Sequence, residues 1–577
     1  MPTLEWIGKD KVVNHHQQVP YRVLEEKYTY NAERSDNMII RGDNLEALKA
    51  LLPKYEGKIK CIYIDPPYNT GNEGWVYNDN VNDPKIKKWL GEVVGKEGED
   101  LSRHDKWLCM MYPRLKLLHK LLLDDGVIFI SIDDTEYANL KLICDEIFGS
   151  NCFVSNISWQ RTYSTRNDSK GIVNEVEHIL VYSKQPDWNP NKLPRTEEMN
   201  SKYKNPDNDR ALWRTDNAFA PGAATHQGMV YAIQHPFTGK MLYPANGRCW
   251  TFGQEQMLEI MCGWCNYELR NLNDAHERAV VCGVADEDVR QGVQAIVLSE
   301  SLEISAKKAQ AVYERGQWPR FFFTKGGQGG IARKTYLENV GGKLPTNFWP
   351  FAEAGHTDEA KKEMLAIFDG KATFDTPKPH RLIEYVLKIA GSENALVLDS
   401  FAGSATTAHA VLAMNKADDG NRNFILIEMM DYADSITAER IKRVIDGYGS
   451  GKNAVEGTGG SFTFYDLGEA LLLPNGNLNE NVSVDKIREY VYYMETKESM
   501  AGVSNGNPYF MGNSRDAAYY FFYEKDAITT LDHEFLATIP ERADSYIIYA
   551  DLCTISAEEL AKYNITFKKI PRDIAKL

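Results

Sequence analysis

The chain has 577 residues, more than one hydrophobic core usually serves, so we expect two or three domains. Hydrophobic residues make up 43% and charged residues 25% of the sequence, as in ordinary soluble globular proteins. No apolar run is long enough for a membrane helix, and no secretory signal is visible at the N-terminus. We therefore expect a cytoplasmic protein without membrane contact.

The net charge of −15 at first argues against a nucleic-acid partner. The distribution of charge weakens that argument, because residues 187–350 contain 19 Lys and Arg against 18 Asp and Glu. The middle of the chain is therefore much less repulsive to phosphate than its flanks. Charge alone neither establishes nor excludes DNA binding.

Nine cysteines are too few and too scattered for a disulfide framework. Cys262 and Cys265 have zinc-knuckle spacing, but Cys249 and Cys282 do not form a second close pair. Structural zinc sites usually have two such pairs. We therefore expect these four cysteines to pack in the core, and we expect no metal site.

Residues 36–185 alternate short β-branched runs with amphipathic patterns, which predicts a parallel α/β sheet. The predicted elements are a strand at 38–43, a helix at 44–55, a strand at 60–65, a helix at 106–123 and strands at 126–133 and 177–184. Residues 186–350 are rich in Asn, Pro, Gly, Trp and Arg, which predicts a loop-rich, β-containing insert with a helical patch near 284–313.

The α/β texture returns after the insert. It predicts a helix at 379–390, a strand at 395–400, a helix at 404–415 and a strand at 423–429. The last segment, residues 466–577, has aromatic strand patterns at 517–524 and 545–552 and predicts a small α/β domain. No internal repeat is visible.

Asp65–Pro66–Pro67–Tyr68 lies at the carboxyl end of the strand predicted at 60–65, where open α/β sheets bind their ligands. The Asp65 carboxylate and the Pro66 carbonyl are two acceptors suited to both N–H groups of an adenine amine. Holding them would free the delocalised lone pair of the amine for attack. Tyr68 would stack on a base rotated out of the duplex. The alternative is a purely structural turn.

Asp399–Ser404 predicts a tight turn between a strand and a helix, where Gly403 lets the backbone approach a ligand. It lacks the glycines of a dinucleotide loop and the Gly-Lys of a phosphate loop, so a cofactor without phosphates, such as S-adenosylmethionine, suits it better. Glu428 ends the next strand, where an acid typically accepts from ribose hydroxyls. A turn without a ligand and a solvated strand end are the alternatives.

Asp43 lies at the end of the first predicted strand and would accept from the amine of the cofactor adenine. The alternative is a helix N-cap, and the two roles are compatible. Residues 374–380, whose two prolines lead into the helix predicted at 379–390, predict a rigid entry that lines the methionine end of the cofactor.

The order of these motifs resembles that of the β class of DNA amino-methyltransferases. More narrowly, the chain resembles the modification subunits of type III restriction–modification systems over most of its length. The segments that carry the resemblance are WIGKDKVVNHH at the start, GDNLEALK (42–49), DPPYNTG (65–71), EHILVYSK (177–184), APGA (220–223), HPFTGKMLYPANGRCW (235–250), TPKPHRLIEYVLKIAG (376–391), DSFAGSATTAHAV (399–411) and LAKYNITFKKIPRDI (560–574).

The resemblance implies a Rossmann-like, S-adenosylmethionine-dependent methyltransferase fold with a circularly permuted motif order. It further implies duplex DNA as substrate, the N6 amine of adenine as acceptor and a homodimer. Carried over residue by residue, it implies that Asp65, Pro66, Pro67 and Tyr68 are catalytic. It implies cofactor contacts for Asp43, Lys378, Phe401, Gly403, Ser404 and Glu428.

We expect a catalytic domain formed by residues 1–185 and 351–465, split by a target-recognition domain at 186–350 and followed by the α/β domain at 466–577. The resemblance to the type III modification subunits weakens between about residues 256 and 315. The DNA sequence that the protein recognises therefore cannot be inferred from the amino-acid sequence. The sequence has no helicase or nuclease motif, and any cleavage would need a separate ATP-dependent restriction subunit.

Arginine and aromatic residues serve phosphate, base-edge and flipped-base contacts. The predicted DNA contacts are Arg161, Arg166, Trp213, Arg214, Arg248, Trp250, Arg320, Arg333 and Lys334. The alternative is that most of the tryptophans belong to the core and most of the arginines to an inert surface.

Two other functions are compatible with the sequence. One is the same fold acting on cytosine N4 or on RNA, against which the DPPY form and the large insert argue. The other is a non-catalytic DNA-recognition subunit, against which the intact DPPY and glycine motifs argue.

Overall fold

The computed structural model describes residues 3–70, 103–163, 172–500, 502, 504–540 and 542–572. The chain divides into two compact units. The first contains Met1–Asn191 and Leu344–Leu577, and the second contains Lys192–Lys343. No helix in the described ranges combines the length and the apolar character that a membrane crossing requires.

The secondary structure follows the chain in short alternating elements. The strands are β1 Arg22–Tyr30, β2 Met38–Arg41, β3 Ile59–Ile64, β4 Leu122–Ile132, β5 Phe153–Gln160, β6 Val176–Ser183, β7 Trp213–Asn217, β8 Phe219–Pro221, β9 Ile233–Gln234, β10 Met241–Leu242, β11 Arg248–Trp250, β12 Tyr267–Arg270, β13 Ala295–Leu298, β14 Phe321–Phe323, β15 Ile331–Tyr336, β16 Phe348–Trp349, β17 Leu396–Asp399, β18 Asn423–Glu428, β19 Gly447–Tyr448, β20 Val455–Glu456, β21 Phe462–Ala470, β22 Phe510–Ser514, β23 Ala517–Phe521, β24 Thr530–Leu531, β25 Ser545–Ala550, β26 Leu552–Cys553 and β27 Ile565–Lys569. The α-helices are Lys9–Val12, His15–Gln18, Asn44–Tyr55, Arg103–Leu121, Tyr137–Phe148, Glu197–Asn200, Gln254–Met261, Ala275–Cys282, Leu302–Arg315, Phe351–Ala354, Thr357–Ile367, His380–Ala390, Thr406–Asp418, Glu439–Asp446, Val484–Thr496, His533–Ala537 and Ala557–Lys562.

A ten-stranded sheet organises the first unit, with the strand order β1-β21-β2-β18-β17-β3-β4-β6-β5-β16. The six strands from β21 to β4 are parallel. β6 is antiparallel to both β4 and β5, and β1 is antiparallel to β21. The parallel strands read as continuous apolar runs because a parallel sheet is buried on both faces.

Helices cover the sheet on both faces. Ile62 and Ile64 of β3 share one apolar cluster with the helix that follows β2, the helix that precedes β4 and the helix that follows β4. The helices on either side of β17 contact β3, β4 and β18. The first unit thus has the doubly wound α/β architecture of a Rossmann-like methyltransferase fold, as the sequence predicts.

The parallel register brings four strand ends to one edge of the sheet. Arg41 at the end of β2 lies opposite Glu428 of β18, and Asp399 of β17 lies opposite Leu426. β17 in turn pairs with β3, which ends just before Asp65. The residues that follow these strands therefore meet at the edge where open α/β sheets bind ligands.

The second unit contains a four-stranded sheet of order β10-β9-β13-β12, a three-stranded sheet β14-β15-β7 and the pair β11-β8. Its apolar core is rich in aromatic side chains, including Trp213, Trp250, Trp264 and Phe321. The helical patch predicted near 284–313 is wrong in part, because the apolar run of β13 lies within it.

The C-terminal residues form a four-stranded sheet of order β22-β23-β25-β27. The two aromatic strands predicted there are confirmed as β23 and β25. The boundary expected between residues 465 and 466 falls inside β21, which the sequence pattern did not predict and which pairs with β1 and β2 in the large sheet.

Candidate active site

Asp65 is the first residue after β3, and its carboxylate is held by two side chains. The Nζ atom of Lys378 lies 2.7 Å from each carboxylate oxygen. The Tyr68 hydroxyl donates to Oδ1 of Asp65 at 2.8 Å and accepts from Lys378 Nζ at 2.9 Å. The resemblance assigned Lys378 to the cofactor, whereas in the structure it contacts the proposed catalytic carboxylate.

Burial raises the pKa of the Asp65 carboxyl above that of an ordinary aspartate, and the contacts with Lys378 and Tyr68 oppose that rise. For Lys378, burial acts to lower the pKa, but the carboxylates of Asp65 and Glu177 outweigh it and the pKa is raised. The lysine is therefore cationic in a buried pocket that contains more than one carboxylate.

The backbone of the DPPY segment is fixed by Trp107, whose side chain is fully buried. The indole Nε1 of Trp107 donates to the Pro67 carbonyl at 2.6 Å. Two consecutive prolines already restrict the backbone at this point. Together they set the position of the Pro66 carbonyl, the second predicted acceptor.

The loop continues through Asn69, which has a left-handed φ of 60° that asparagine tolerates well. The Asn69 side chain donates to the buried carboxylate of Glu136, which follows β4. Glu136 also accepts from Asn139 at 2.7 Å and lies 2.6 Å from Nδ1 of His104. This cluster ties the loop after β3 to the end of the neighbouring strand.

The predicted glycine turn forms after β17, where Asp399 organises it. Oδ1 of Asp399 accepts from the Phe401 N–H at 3.0 Å, and Oδ2 accepts from the Thr407 hydroxyl at 2.6 Å. Gly403 has a φ of 52°, in the left-handed region that favours glycine. Its N–H donates to Oε2 of Glu428 at 2.8 Å, so the acid that ends β18 lies against the turn.

Carboxylates dominate this edge of the sheet. Burial raises the pKa of Asp399 to about 7, although the Thr407 hydroxyl and a backbone N–H oppose the rise, and the charges of Asp65 and Glu428 add to it. Asp43 follows β2, the strand beside β18. A phosphate-bearing cofactor would be repelled here, whereas a sulfonium cation and ribose hydroxyl donors fit these groups.

Asp43 is the N-cap of the helix Asn44–Tyr55. Its Oδ1 accepts from the N–H groups of Leu45 at 2.9 Å and Glu46 at 3.2 Å, and Arg114 lies 3.4 Å from its other oxygen. The N-cap interpretation is therefore confirmed, and the contact with a cofactor adenine stays a prediction.

Behind the glycine turn, the fully buried Arg440 holds Ser404 in place. Its Nη1 donates to the Ser404 carbonyl and hydroxyl, each at 3.1 Å, and to the Thr406 hydroxyl at 3.0 Å. Its Nη2 donates to Glu363 and to Nδ1 of His409, each at 3.0 Å. The second half of the turn is thus fixed from inside the protein.

Among the described residues, Glu363, His380 and His409 place potential metal-ligand atoms within 4.8 Å of one another. The Arg440 guanidinium contacts two of these three groups, and its charge opposes a divalent cation there. Burial by itself would raise the pKa of Glu363, but the two histidines and Arg440 lower it to about 2. We interpret the cluster as a hydrogen-bonded support of the glycine turn.

Three of the four cysteines pack as the sequence predicts: Cys249, Cys265 and Cys282 are buried in apolar clusters of the second unit. The core prediction is wrong for Cys262, which is exposed. It lies at the C-cap of the helix Gln254–Met261, where the chain turns away from the helix.

Three predicted DNA contacts lie inside the second unit. Trp213 and Trp250 belong to its aromatic core. Lys334 is fully buried, donates to Asp207 and lies 2.6 Å from the Asp209 carboxylate. These side chains are not accessible from the surface, so we withdraw the prediction of DNA contact for them.

The arginines among the predicted DNA contacts differ in exposure. Arg214, Arg248 and Arg320 are exposed in the second unit, and Arg333 is half-buried against Asp216. Arg161, which follows β5, contacts Glu177 in the first unit, and Arg166 lies outside the described residues. The exposed arginines keep their predicted role as candidates for DNA contact.

Glu177, Trp107 and Arg440 belong to the site but were not predicted from the sequence. Glu177 could have been predicted from the sequence, because it is a charged residue at the start of the apolar strand in the EHILVYSK segment. Trp107 and Arg440 could not, since a tryptophan or an arginine in a helix most often has a structural role.

Residues 59–439 match the model of a protein family described as DNA methylase. The chain is 32% identical over 475 residues to the Mod subunit of the type III restriction–modification enzyme StyLTI of Salmonella typhimurium, a match that covers 76% of this chain and 62% of that protein. It is 30% identical over 463 residues to the EcoPI Mod subunit of Escherichia phage P1, covering 74% and 63%. The chain thus spans less than two thirds of the length of these relatives.

Solved structures of DNA methyltransferases are also similar to the chain. One is the cytosine-N4-specific PvuII DNA methyltransferase, with a TM-score of 0.31 and 13% identity over 70% of this chain and 86% of that one. Another is a DNA modification methylase of Thermus thermophilus in complex with S-adenosyl-L-methionine, with a TM-score of 0.28 and 12% identity over 70% and 94%.

Proposed function

Since the chain belongs to the DNA methylase family, we propose that it transfers a methyl group from S-adenosylmethionine to the N6 amine of a flipped-out adenine in duplex DNA. The observation that supports this most is the position of Asp65 and the two prolines after β3, on the same sheet edge as the glycine turn after β17. A base acceptor and a methyl donor would meet at that edge.

The residues of the DPPY segment activate the amine. The Asp65 carboxylate and the Pro66 carbonyl accept the two N–H groups and hold the nitrogen so that its lone pair faces the donor. Bound S-adenosylmethionine supplies a sulfonium methyl, whose carbon–sulfur bond breaks with its electron pair on sulfur as the nitrogen–carbon bond forms. The methylated nitrogen is then cationic and releases one proton, which passes to solvent water. Asp65 stabilises that charge while it lasts.

The glycine turn and the neighbouring acids would hold the donor. Gly403 lets the backbone approach the donor closely, and Ser404 is held in position by Arg440. Phe401 would contact the donor, as the resemblance implies. Glu428 would accept from ribose hydroxyls and Asp43 from the adenine amine of the donor. Carboxylates around the sulfonium suit its positive charge.

Adenine N6 is preferred to cytosine N4 because the chain carries DPPY rather than the SPP form, and because the relatives named above are type III Mod subunits. The test is transfer of labelled methyl from S-adenosylmethionine to unmethylated duplex DNA, with base identification after digestion, for wild type and Asp65→Ala. We expect N6-methyladenine from wild type alone. N4-methylcytosine would overturn the choice of base, and cofactor binding without transfer would favour a recognition subunit.

We assign DNA recognition to the second unit, through its exposed arginines. Replacing Arg214, Arg248 and Arg320 together by alanine should weaken duplex binding and reduce its salt dependence, because phosphate contacts release counterions. Lys334→Met is the contrasting change: it leaves the buried Asp207 and the half-buried Asp209 without their cation and should lower stability instead. Unchanged DNA affinity of the triple variant would overturn this assignment.

We also propose that the protein acts as the modification subunit of a type III-like system, which is how the relatives that it matches are described. The resemblance further implies a homodimer. Light scattering should give twice the chain mass of 65.5 kDa. A mass of one chain would overturn the dimer. DNA cleavage by this chain alone with ATP would contradict the expectation of a separate restriction subunit.

A further inference from the structure

A second carboxylate, that of Glu177, lies in the Asp65 pocket. β6 runs antiparallel to β4 and pairs His178 with Ile132 at the end of β4. The beginning of β6 therefore reaches the edge where the parallel strands end, and Glu177 is only 6% exposed there. The Tyr68 hydroxyl lies 3.3 Å from Oε2 of Glu177.

Lys378 is shared between the two carboxylates. Its Nζ lies 2.7 Å from both oxygens of Asp65 and 3.6 Å from Oε2 of Glu177. Arg161 donates to the other oxygen of Glu177, Oε1, at 2.8 Å. Glu177 is thus oriented with one oxygen towards Arg161 and the other towards the lysine, which needs only a small movement to reach it.

In this arrangement Lys378 occupies the carboxylate that the proposed methyl transfer requires as an acceptor. Asp65 must accept an N–H of the adenine amine, yet Lys378 lies against both of its oxygens. An ammonium beside the amine would also oppose the positive charge that the nitrogen gains on attack. Moving a buried cation away from a carboxylate is costly unless another acceptor takes it.

We propose that Glu177 is a positioning residue that takes over Lys378 when the target adenine enters, so that Asp65 is released to accept from the amine. This inference rests on the proposed function. The lysine remains charged and paired in both positions, and the cation is drawn away from the reacting nitrogen. The raised pKa of Lys378, to which both carboxylates contribute against the effect of burial, is consistent with a cation that stays protonated.

The first test is Glu177→Gln, which keeps the shape of the side chain and an acceptor for Arg161 but removes the charge that receives Lys378. We expect single-turnover methyl transfer to fall by about 10²-fold, as when a reacting group is misplaced by about 1 Å. The affinity for S-adenosylmethionine and the melting temperature should stay close to wild type. A rate equal to wild type would overturn the proposal.

Glu495→Gln is the matched control. Its carboxylate also accepts from a lysine, Lys568, with both oxygens at 2.7 Å, and from a tyrosine, Tyr549, at 2.6 Å, but it lies in the C-terminal part of the chain. We expect no change in transfer rate. If wild type itself transfers no methyl group to DNA, the proposed function fails. If wild type is active and both variants match it, only the role of Glu177 fails.

A double variant separates positioning from simple support. Lys378→Met removes the cation that Glu177 is proposed to receive, so Glu177→Gln should have little further effect in that background. The two changes would then be strongly non-additive. If Glu177 merely supports Arg161 and Tyr68, the two losses should multiply, and that result would contradict the exchange of the lysine.

The pH profile gives an independent readout. The negative charge of Glu177 contributes to the raised pKa of Asp65. Glu177→Gln should therefore move the acid limb of kcat/KM to lower pH, because Asp65 then loses its proton at lower pH. An unshifted limb would contradict the electrostatic coupling of the two carboxylates.

Discussion

The loop after β3 and the turn after β17 lie on the same sheet edge but are held by different kinds of contact. The glycine turn is fixed by N–H groups and hydroxyls that donate to buried carboxylates, and by Arg440. The Asp65 carboxylate is instead held by Lys378, a side chain with a second acceptor within 3.6 Å. The first arrangement is suited to holding a cofactor in one geometry, and the second to exchanging partners when a base arrives.

The largest effect is expected from a change in the loop after β3 that leaves the glycine turn intact. Asp65→Asn keeps the size of the side chain but removes the charge that stabilises the cationic nitrogen. We expect methyl transfer to fall by about 10³-fold, as when one preorganised transition-state contact is lost. Rapid-quench measurement of methyl incorporation checks this. Transfer within a few-fold of wild type would mean that Asp65 is not the acceptor.

The next effect concerns the cofactor side. Glu428→Ala removes the acceptor for the N–H groups of Gly403 and Met430 and the proposed ribose acceptor. We expect the Kd for S-adenosylmethionine to rise by about 10²-fold, as for the loss of charged hydrogen bonds. Transfer at saturating cofactor should change much less. If the transfer rate at saturating cofactor fell and the Kd stayed at its wild-type value, Glu428 would act in methyl transfer rather than in cofactor binding.

A smaller effect is expected behind the turn. Arg440→Met frees Ser404 and leaves the half-buried Glu363 without its arginine partner, so the Kd for S-adenosylmethionine should rise by about tenfold. Arg443→Met is a control on the same helix, because Arg443 pairs with Glu439 and Asp369 nearer the surface. Equal effects of the two changes on cofactor binding would contradict a specific role for Arg440.

The smallest effect is a shift in pH dependence. Burial raises the pKa of Asp65, so this carboxyl takes up a proton at higher pH than an ordinary aspartate. As the pH is lowered, activity should therefore begin to fall at a higher pH than the titration of a free aspartate would predict. The acid limb of kcat/KM, measured where the protein stays folded, checks the sign. A limb at or below the ordinary aspartate range would contradict the burial effect.

The sequence predicted the parts of the molecule that depend on local patterns. The helix at 44–55 forms with those bounds, and the apolar runs of β3, β17 and β18 form strands close to the predicted ranges. The positions of Asp65 and the glycine turn follow from those strands, because polar residues at the carboxyl ends of parallel strands must meet at one edge.

The remaining features depend on pairings between distant parts of the chain. β1 pairs with β21 more than 400 residues later, and neither strand has a pattern that announces its partner. Lys378 reaches Asp65 only once the chain is folded, and Lys334 looks like a surface cation until Asp207 and Asp209 are seen beside it. Residue type alone does not distinguish a buried ion pair from a DNA contact.

The most direct test of the division between the two sides is calorimetric binding of S-adenosylmethionine to the wild-type, Asp65→Asn and Glu428→Ala proteins, with methyl transfer to duplex DNA measured on the same samples. We expect Asp65→Asn to bind the cofactor within about twofold of wild type while transfer falls by about 10³-fold, and Glu428→Ala to lose affinity while retaining transfer at saturation. Loss of cofactor binding in Asp65→Asn would contradict the assignment of Asp65 to the base and of the glycine turn to the cofactor.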